Sequence, residues 1–167
     1  MEEENTMGGR LDYGNASPAG LAAFRHLQTY IDGCGLDHRL MELVKTRASQ
    51  LNGCAYCLDM HTKDARAGGE TEQRLYALSA WRETPFFTDR ERAALDWTEA
   101  LTHIAPDRVD DQLYQQLCSH FSEKEIVDLT LVIIAINGWN RLAIPFRTPP
   151  GSYQPARSRS SATRIAD

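Results

Sequence analysis

Apolar residues recur every three or four positions along most of this chain, which is the spacing of one face of an α-helix. Leu21, Phe24, Leu27 and Ile31 follow this spacing in the segment 17–33. A Ser-Pro pair opens the segment, as in many helix N-termini, and glycines follow its end. The pattern predicts an amphipathic helix here.

The same reasoning predicts six further helices. In the second helix, Leu40, Leu43, Val44 and Leu51 form the inner stripe, Asp37 is the expected N-cap, and an Asn-Gly pair ends it. The other five segments begin at cap residues or end at glycine or proline. Those predicted helices span 54–66, 71–81, 88–104, 110–121 and 123–144.

The last of these segments contains the β-branched run Val132-Ile133-Ile134, which a buried strand would also explain. A capping box, formed by Ser122 and Glu125, precedes the run and favours a helix. No other segment alternates at period two, so a lone strand would have no partner. We therefore expect an all-α protein of about six or seven helices.

Length and charge narrow the class of protein. A chain of 167 residues suits one domain, which we place at residues 17–149, between an N-terminal extension (1–16) and a disordered tail (150–167). The formal net charge of −5 argues against a nucleic-acid surface, and the single basic patch, 156–164, lies in the Ser-rich tail. The acidic N-terminus has no apolar signal region, and the longest apolar run is far too short to cross a bilayer. We expect a soluble, cytoplasmic protein.

Candidate chemistry centres on the segment "NGCAYCLDMH" (52–61), in which Cys54, Cys57 and His61 are spaced three, four and seven apart. On a helix that begins near Cys54, these residues share one face. Cys54 would then lie in the first turn, where the helix dipole favours a thiolate and lowers the thiol pKa. Close cysteines in a reducing compartment indicate a metal site or a redox pair.

Three interpretations of this cluster stay open from the residues alone. One is a dithiol redox site, in which one sulfur attacks and the other resolves. Another is zinc bound by both thiolates and the imidazole, although no fourth ligand at short spacing accompanies them. The third is purely structural, with buried cysteines and a core histidine. Read alone, Glu42 in the preceding helix would face solvent.

The segment "MELVKTRASQLNGCAYCLDMHTKDAR" resembles the core of the alkyl hydroperoxidase D-like (AhpD-like), or carboxymuconolactone decarboxylase-like, family. The redox branch of that family carries Glu-x11-Cys-x2-Cys-x3-His, and Glu42, Cys54, Cys57 and His61 match each spacing. The similarity extends over about residues 18–147. It implies an all-α AhpD-like helical bundle that assembles as a trimer or hexamer, and it implies peroxidase activity, because the decarboxylase branch lacks the cysteine pair.

The resemblance also implies roles for these residues. Cys57 would be the peroxidatic thiol and Cys54 the resolving thiol, while Glu42 and His61 would form a proton relay. The substrate would be an organic hydroperoxide or hydrogen peroxide, an external dithiol would reduce the disulfide, and no cofactor is expected. The dipole argument instead makes Cys54 the more acidic thiol; we follow the resemblance. Tyr56 stands where alkyl hydroperoxidase D has a histidine, and we expect it to donate a hydrogen bond rather than act as a base.

Two alternatives to a peroxidase are a zinc-stabilised oligomeric binding module without catalysis and a dithiol–disulfide oxidoreductase with another substrate. The remaining polar and sulfur-containing residues receive no catalytic role. Asn137, Trp139 and Asn140, which interrupt the last apolar helix, are assigned to packing or a subunit contact. Cys34 and Cys118 are expected to be inert, and no partner spacing accompanies the remaining histidines, which are His26, His38, His103 and His120.

Overall fold

The computed structural model describes residues 8–155, and each regular element in that range is a helix. The predicted all-α fold is therefore confirmed. The described residues form eight α-helices and one 3₁₀ helix, so the count exceeds the expected six or seven. Their bounds are α1 (Tyr13–Ala16), α2 (Pro18–Asp32), α3 (His38–Asn52), α4 (Ala55–Ala67), α5 (Glu72–Ala77), the 3₁₀ helix (Leu78–Glu83), α6 (Asp89–Thr102), α7 (Asp111–Cys118) and α8 (Glu123–Ala143).

Local capping explains most of these boundaries. The Asp37 carboxylate accepts the Leu40 N–H at the start of α3. Complete capping boxes open α6, through Thr88 and Glu91, and α8, where the sequence predicts one. Ser17 occupies the predicted N-cap of α2, but its side chain makes no capping hydrogen bond. The additional helix α1 is a single turn, which Asp12 caps by accepting the Asn15 N–H.

The predicted helix over 71–81 is only partly correct, because the α-helix ends at Ala77 and continues as a 3₁₀ helix. Ala80, at φ −121°, marks a kink inside the 3₁₀ segment. The cause is tertiary packing, since Leu78 and Trp81 are both buried in the core. The Trp81 indole also donates to Glu99 of α6 at 2.8 Å, and these contacts override the local helical pattern.

Helix α3 lies at the centre of the fold and packs against α4, α6 and α8. Its segment from Leu40 to Thr46 is buried without interruption, so even its polar residues are enclosed by neighbouring helices. Helix α8 packs on α3 and supplies much of the main core. By length and composition α8 would also be able to cross a membrane, but 56% of its most apolar window is buried inside the domain. That burial is typical of a core helix.

A set of amides, half-buried at Asn52 and buried on α8, joins the end of α3 to α8. The Asn52 side chain donates to Asn137 Oδ1 at 2.9 Å and to Asn140 Oδ1 at 2.8 Å. The Asn140 amide in turn donates to the Ser49 hydroxyl at 3.2 Å. These bonds satisfy polar groups that would otherwise be costly to bury, and they fix the point where the chain turns from α3 toward Cys54.

The segments that flank the helices meet at one edge of the domain. The Arg10 N–H donates to the Phe146 carbonyl at 2.9 Å, and the rings of Tyr13 and Phe146 lie 5.7 Å apart. Residues 151–155, which we call the C-terminal strap, lie along α4 although they belong to the predicted tail. Residues 1–7 and 156–167, including the basic patch at 156–164, lie outside the described range.

The close approach of α2 and α8 at Gly138 gives a first prediction. A Cβ atom there would overlap the ring of Phe24, which itself packs on Trp139 with ring centroids 4.6 Å apart. We expect Gly138→Ala to lower the free energy of unfolding by about 1–3 kcal/mol, the usual cost of overpacking, as measured by urea denaturation. The smaller side chain in a Gly138→Ala/Phe24→Leu double variant should recover part of this loss. Equal stability of Gly138→Ala and wild type would contradict the close packing.

Candidate active site

Two cysteines begin helix α4 with their sulfur atoms 2.7 Å apart. Gly53, at φ +70°, ends α3 in the left-handed region and turns the chain so that Cys54 becomes the N-cap of α4. The Cys54 sulfur accepts the Cys57 backbone N–H at 3.4 Å. Both side chains are buried. The predicted helix start near Cys54 is therefore confirmed, and the two sulfurs lie close together.

The two thiols differ in acidity. A hydrogen bond from the Cys57 thiol outweighs burial and, with backbone N–H donors, lowers the pKa of Cys54 to about 7. The hydrogen bond to Cys54 and burial both raise the pKa of Cys57 above its ordinary value. When the pair loses one proton, the negative charge therefore lies on Cys54 rather than on Cys57. This distribution follows the helix-dipole argument from the sequence.

Asn140, a fully buried residue of α8, supports this charge. Its amide lies beside the cysteine pair and lowers the pKa of each thiol. Asn52 donates to the Asn140 carbonyl oxygen, which leaves the Asn140 NH₂ group to face the sulfurs and Ser49. The sequence assigns this residue to packing or a subunit contact; the structure places its amide next to the cysteine pair, where it favours the thiolate.

A buried carboxylate and a buried histidine form the second part of the site. Glu42 Oε2 lies 2.8 Å from His61 Nδ1, and the Lys45 ammonium donates to Glu42 Oε1 at 2.9 Å. Only 2% of Glu42 and 6% of His61 are exposed. Burial opposes ionisation of Glu42, but the hydrogen bond from His61 and the ammonium group of Lys45 outweigh it and lower its pKa to about 2. Because an ionised carboxylate only accepts hydrogen bonds, His61 donates through Nδ1, and Nε2 is its other ring nitrogen.

Three residues near this pair were not predicted from the sequence. Lys45 follows Glu42 by three positions, and Asp64 follows His61 by three, so helical spacing was an available signal for both. Tyr153 belongs to the strap and had no such signal; its hydroxyl donates to Asp64 at 2.7 Å. His38, which received no role, has its Nε2 atom 3.8 Å from Glu42 Oε1.

A large cavity gives access to the site. It has a volume of about 740 Å³, and its lining includes Cys57, His61 and Glu42 but not Cys54. Tyr56 also lines it, and burial raises the pKa of this phenol, so at neutral pH Tyr56 is a hydrogen-bond donor. Much of the remaining lining is apolar and comes from α2, α4 and α8, with Leu21, Ile31, Met60, Val132, Ile136 and Trp139 as its main members. A ligand in the cavity therefore reaches the Cys57 sulfur first.

The structure also bears on the zinc alternative. Within the described part of the chain, the metal-binding side chains that come within 4.8 Å of one another in a group of three are Glu42, His61 and Asp64. Neither cysteine belongs to that group. Lys45 and Tyr153 already donate to its two carboxylates, so its chemistry favours a hydrogen-bonded network over a cation site.

The model of the carboxymuconolactone decarboxylase family matches residues 17–100, which include Glu42, both cysteines of the pair and His61. The chain belongs to this family, and the resemblance seen in the sequence is confirmed.

Among its relatives, the uncharacterized protein YdfG of Bacillus subtilis is 44% identical over 138 residues, which cover 83% of this chain and 94% of YdfG. A solved structure from Agrobacterium tumefaciens, the protein of unknown function ATU0492, is named as a candidate antioxidant defence protein AhpD. It is 44% identical with a TM-score of 0.81, and the match covers 89% of this chain and 99% of that one. The debrominase Bmp8 shares the fold at 21% identity, with a TM-score of 0.73 and coverage of 83% and 74%.

Acid titration tests the buried Glu42 carboxylate. A pKa lowered from 4.5 to about 2 contributes about 3 kcal/mol to stability above pH 4.5. That contribution disappears as the pH falls toward 2, because the carboxylate then becomes protonated in the folded state as well. We expect urea denaturation to show a wild-type advantage over Glu42→Gln that narrows from about pH 5 to about pH 3. Glu72→Gln, at a side chain that is 60% exposed, controls for charge removal alone; a pH-independent advantage would contradict the assignment.

Thiolate absorbance tests the unequal thiols. In a Cys34→Ser/Cys118→Ser background, we expect a thiolate to form with an apparent pKa of about 7. Cys57→Ala removes the thiol that donates to Cys54, so the apparent pKa should rise to at least the free value of about 8.5. Cys54→Ala should abolish the transition near neutrality. A transition that survives in Cys54→Ala and is lost in Cys57→Ala would assign the acidic thiol to the other sulfur.

Proposed function

We propose that this protein is a thiol-dependent peroxidase that reduces organic hydroperoxides or hydrogen peroxide through the Cys54–Cys57 pair. The observation that carries the proposal is a cavity lined by Cys57, whose sulfur lies 2.7 Å from that of Cys54, by the carboxylate-bound His61 and by apolar side chains. A debrominase shares the fold, so the fold alone does not set the reaction. The name given to ATU0492 supports an antioxidant role for this chain.

The first chemical step would be attack of the Cys57 sulfur on one peroxide oxygen. An S–O bond forms, the O–O bond breaks, and Cys57 becomes a sulfenic acid while ROOH is reduced to an alcohol. His61 Nε2 takes the thiol proton and returns one to the leaving oxygen. Cys57 is the attacking atom because it lines the cavity and Cys54 does not.

The second step would use the acidity of Cys54. Its thiolate attacks the Cys57 sulfenic sulfur, the S–S bond forms, and the S–O bond breaks with loss of hydroxide, which a proton converts to water. In the reduced pair, Cys54 is the thiol with the lowered pKa, so it is the sulfur that more readily supplies the attacking thiolate. An external dithiol then transfers two electrons to the disulfide and restores both thiols.

Glu42 and Lys45 would act through His61 rather than exchange protons themselves. With a pKa of about 2, Glu42 stays ionised throughout the cycle. Its role is to hold Nδ1 protonated, to orient the ring and to stabilise the imidazolium that forms during attack. Lys45, held at 2.9 Å, keeps the carboxylate in place. The predicted relay is thereby divided into a proton carrier, His61, and a positioning carboxylate.

Single-cysteine variants test the mechanism. We expect Cys57→Ser to abolish the consumption of cumene hydroperoxide, because the attacking sulfur is gone. Cys54→Ser should perform one attack and stop at sulfenic acid, which dimedone labelling and mass spectrometry would detect. Cys118→Ser, at an exposed cysteine, is the matched control and should retain wild-type turnover.

Thiol counting and metal analysis complete this test. One equivalent of hydroperoxide should remove two thiols from the wild-type protein under anaerobic conditions. Equal activity of the two single variants would rule out the proposed cycle. Stoichiometric zinc in the purified protein, together with intact thiols after peroxide treatment, would favour the non-catalytic module instead.

A further inference from the structure

The C-terminal strap is fastened to the outer surface of α4 by several hydrogen bonds. The Lys63 ammonium donates to the Tyr153 carbonyl at 3.0 Å and to the Gly151 carbonyl at 3.3 Å. The Asp59 carboxylate accepts the Gly151 N–H at 3.0 Å. Asp59 and Lys63 are one helical turn apart and also form an ion pair. Three backbone groups of the strap, which are the Gly151 and Tyr153 carbonyls and the Gly151 N–H, are therefore hydrogen-bonded to side chains of α4. These bonds give the strap a specific position on the helix.

The strap reaches the active cavity through two of its residues. Tyr153 and Pro155 line the same cavity as Cys57 and His61. The Tyr153 hydroxyl donates to Asp64 at 2.7 Å, and Asp64 offers an oxygen within 4.8 Å of ligand atoms of Glu42 and His61. Burial and the Asp64 carboxylate raise the pKa of Tyr153, so its phenol stays neutral. With the hydroxyl engaged by Asp64, the ring is what Tyr153 offers to a ligand.

We propose that the strap is a wall of the substrate cavity and that Tyr153 determines specificity for hydroperoxides with a bulky apolar body. This inference rests on the proposed peroxidase function and names its substrate class. Leu21, Ile31 and Trp139 contribute apolar surface to the cavity, which Tyr153 extends with its ring. A volume of about 740 Å³ lies within the range of sites for drug-sized ligands and far exceeds the needs of hydrogen peroxide. Burial of an aryl or branched alkyl group against these walls would hold the peroxide near Cys57.

Variants of the strap and of Lys63, which anchors it to α4, distinguish a role in substrate specificity from a purely structural role. Lys63 lies outside the cavity and touches it only through the strap, so Lys63→Met should loosen the wall without changing any lining side chain. Tyr153→Ala removes the ring, and Tyr153→Phe keeps the ring while losing the bond to Asp64. Gln154→Ala, at an exposed residue of the same strap, is the matched control and should behave as wild type.

The readout is the ratio of kcat/KM for cumene hydroperoxide to kcat/KM for hydrogen peroxide. We expect Tyr153→Ala to lower this ratio about tenfold, the usual scale for lost apolar contact in a pocket, through a higher KM for cumene hydroperoxide. Lys63→Met should lower it in the same direction, and Tyr153→Phe should fall between Tyr153→Ala and wild type. A parallel fall for both substrates, with an unchanged ratio, would overturn the proposal.

A binding measurement tests the role of the strap as a cavity wall independently of the proposed peroxidase activity. Calorimetric titration with 2-phenyl-2-propanol, the unreactive alcohol product, should show weaker binding to Lys63→Met and Tyr153→Ala than to wild type and Gln154→Ala. If the wild type consumes no peroxide but this order of affinities holds, the wall is supported and the peroxidase function fails. If alcohol affinity is the same in all folded variants, the wall is rejected whatever the activity. If Tyr153→Ala does not fold, the kcat/KM ratio and the alcohol affinity are measured on Lys63→Met and Tyr153→Phe instead.

Discussion

The burial of one ionised carboxylate, Glu42, constrains the rest of this structure. A charge in the middle of the central helix is tolerated only when donors surround it, and His61 and Lys45 supply them at 2.8 and 2.9 Å. His61 can reach Glu42 only if α4 packs closely against α3. The same packing brings the start of α4, and with it the cysteine pair, beside α8. The packing of α4 on α3, the position of the cavity and the Glu42–His61 pair therefore all depend on the burial of Glu42 and on its two donors.

The cysteine pair shows how a short loop produces two unlike sulfurs. Gly53 allows the left-handed turn that ends α3, and this turn places Cys54 at the N-cap and Cys57 in the first turn of α4. The N-cap sulfur receives hydrogen bonds and therefore has the lower pKa, whereas Cys57 lines the cavity. The more acidic sulfur, that of Cys54, and the residue that lines the cavity, Cys57, are therefore different. A pair of this kind suits a cycle in which one sulfur meets the oxidant and the other closes the disulfide.

Local sequence signals predicted much of this architecture, and the features that they missed depend on long-range contacts. Caps and apolar periodicity located the seven main helices because both signals act within one turn of the chain. The Glu-x11-Cys-x2-Cys-x3-His spacing located four side chains that the structure brings to one region. The 3₁₀ segment was missed because Trp81 is held by Glu99 of another helix, and the roles of Asn140 and Tyr153 were missed because their partners lie about ninety positions away. Lys45 and Asp64 were in helical register with predicted site residues, but a charged residue at such a position more often faces solvent.

The meeting of the two flanking segments beside the cavity has a consequence for how such a protein diverges. The candidate reacting groups lie on α3 and α4, inside the helical bundle, while Tyr13 before the main helices and Tyr153 after them line the same cavity. Changes in those peripheral stretches can alter which molecules are admitted without disturbing the interior. Part of the cavity wall and the candidate reacting groups thus lie in different stretches of the chain, so sequence variation in the flanking segments can change that part of the wall while the reacting groups stay the same.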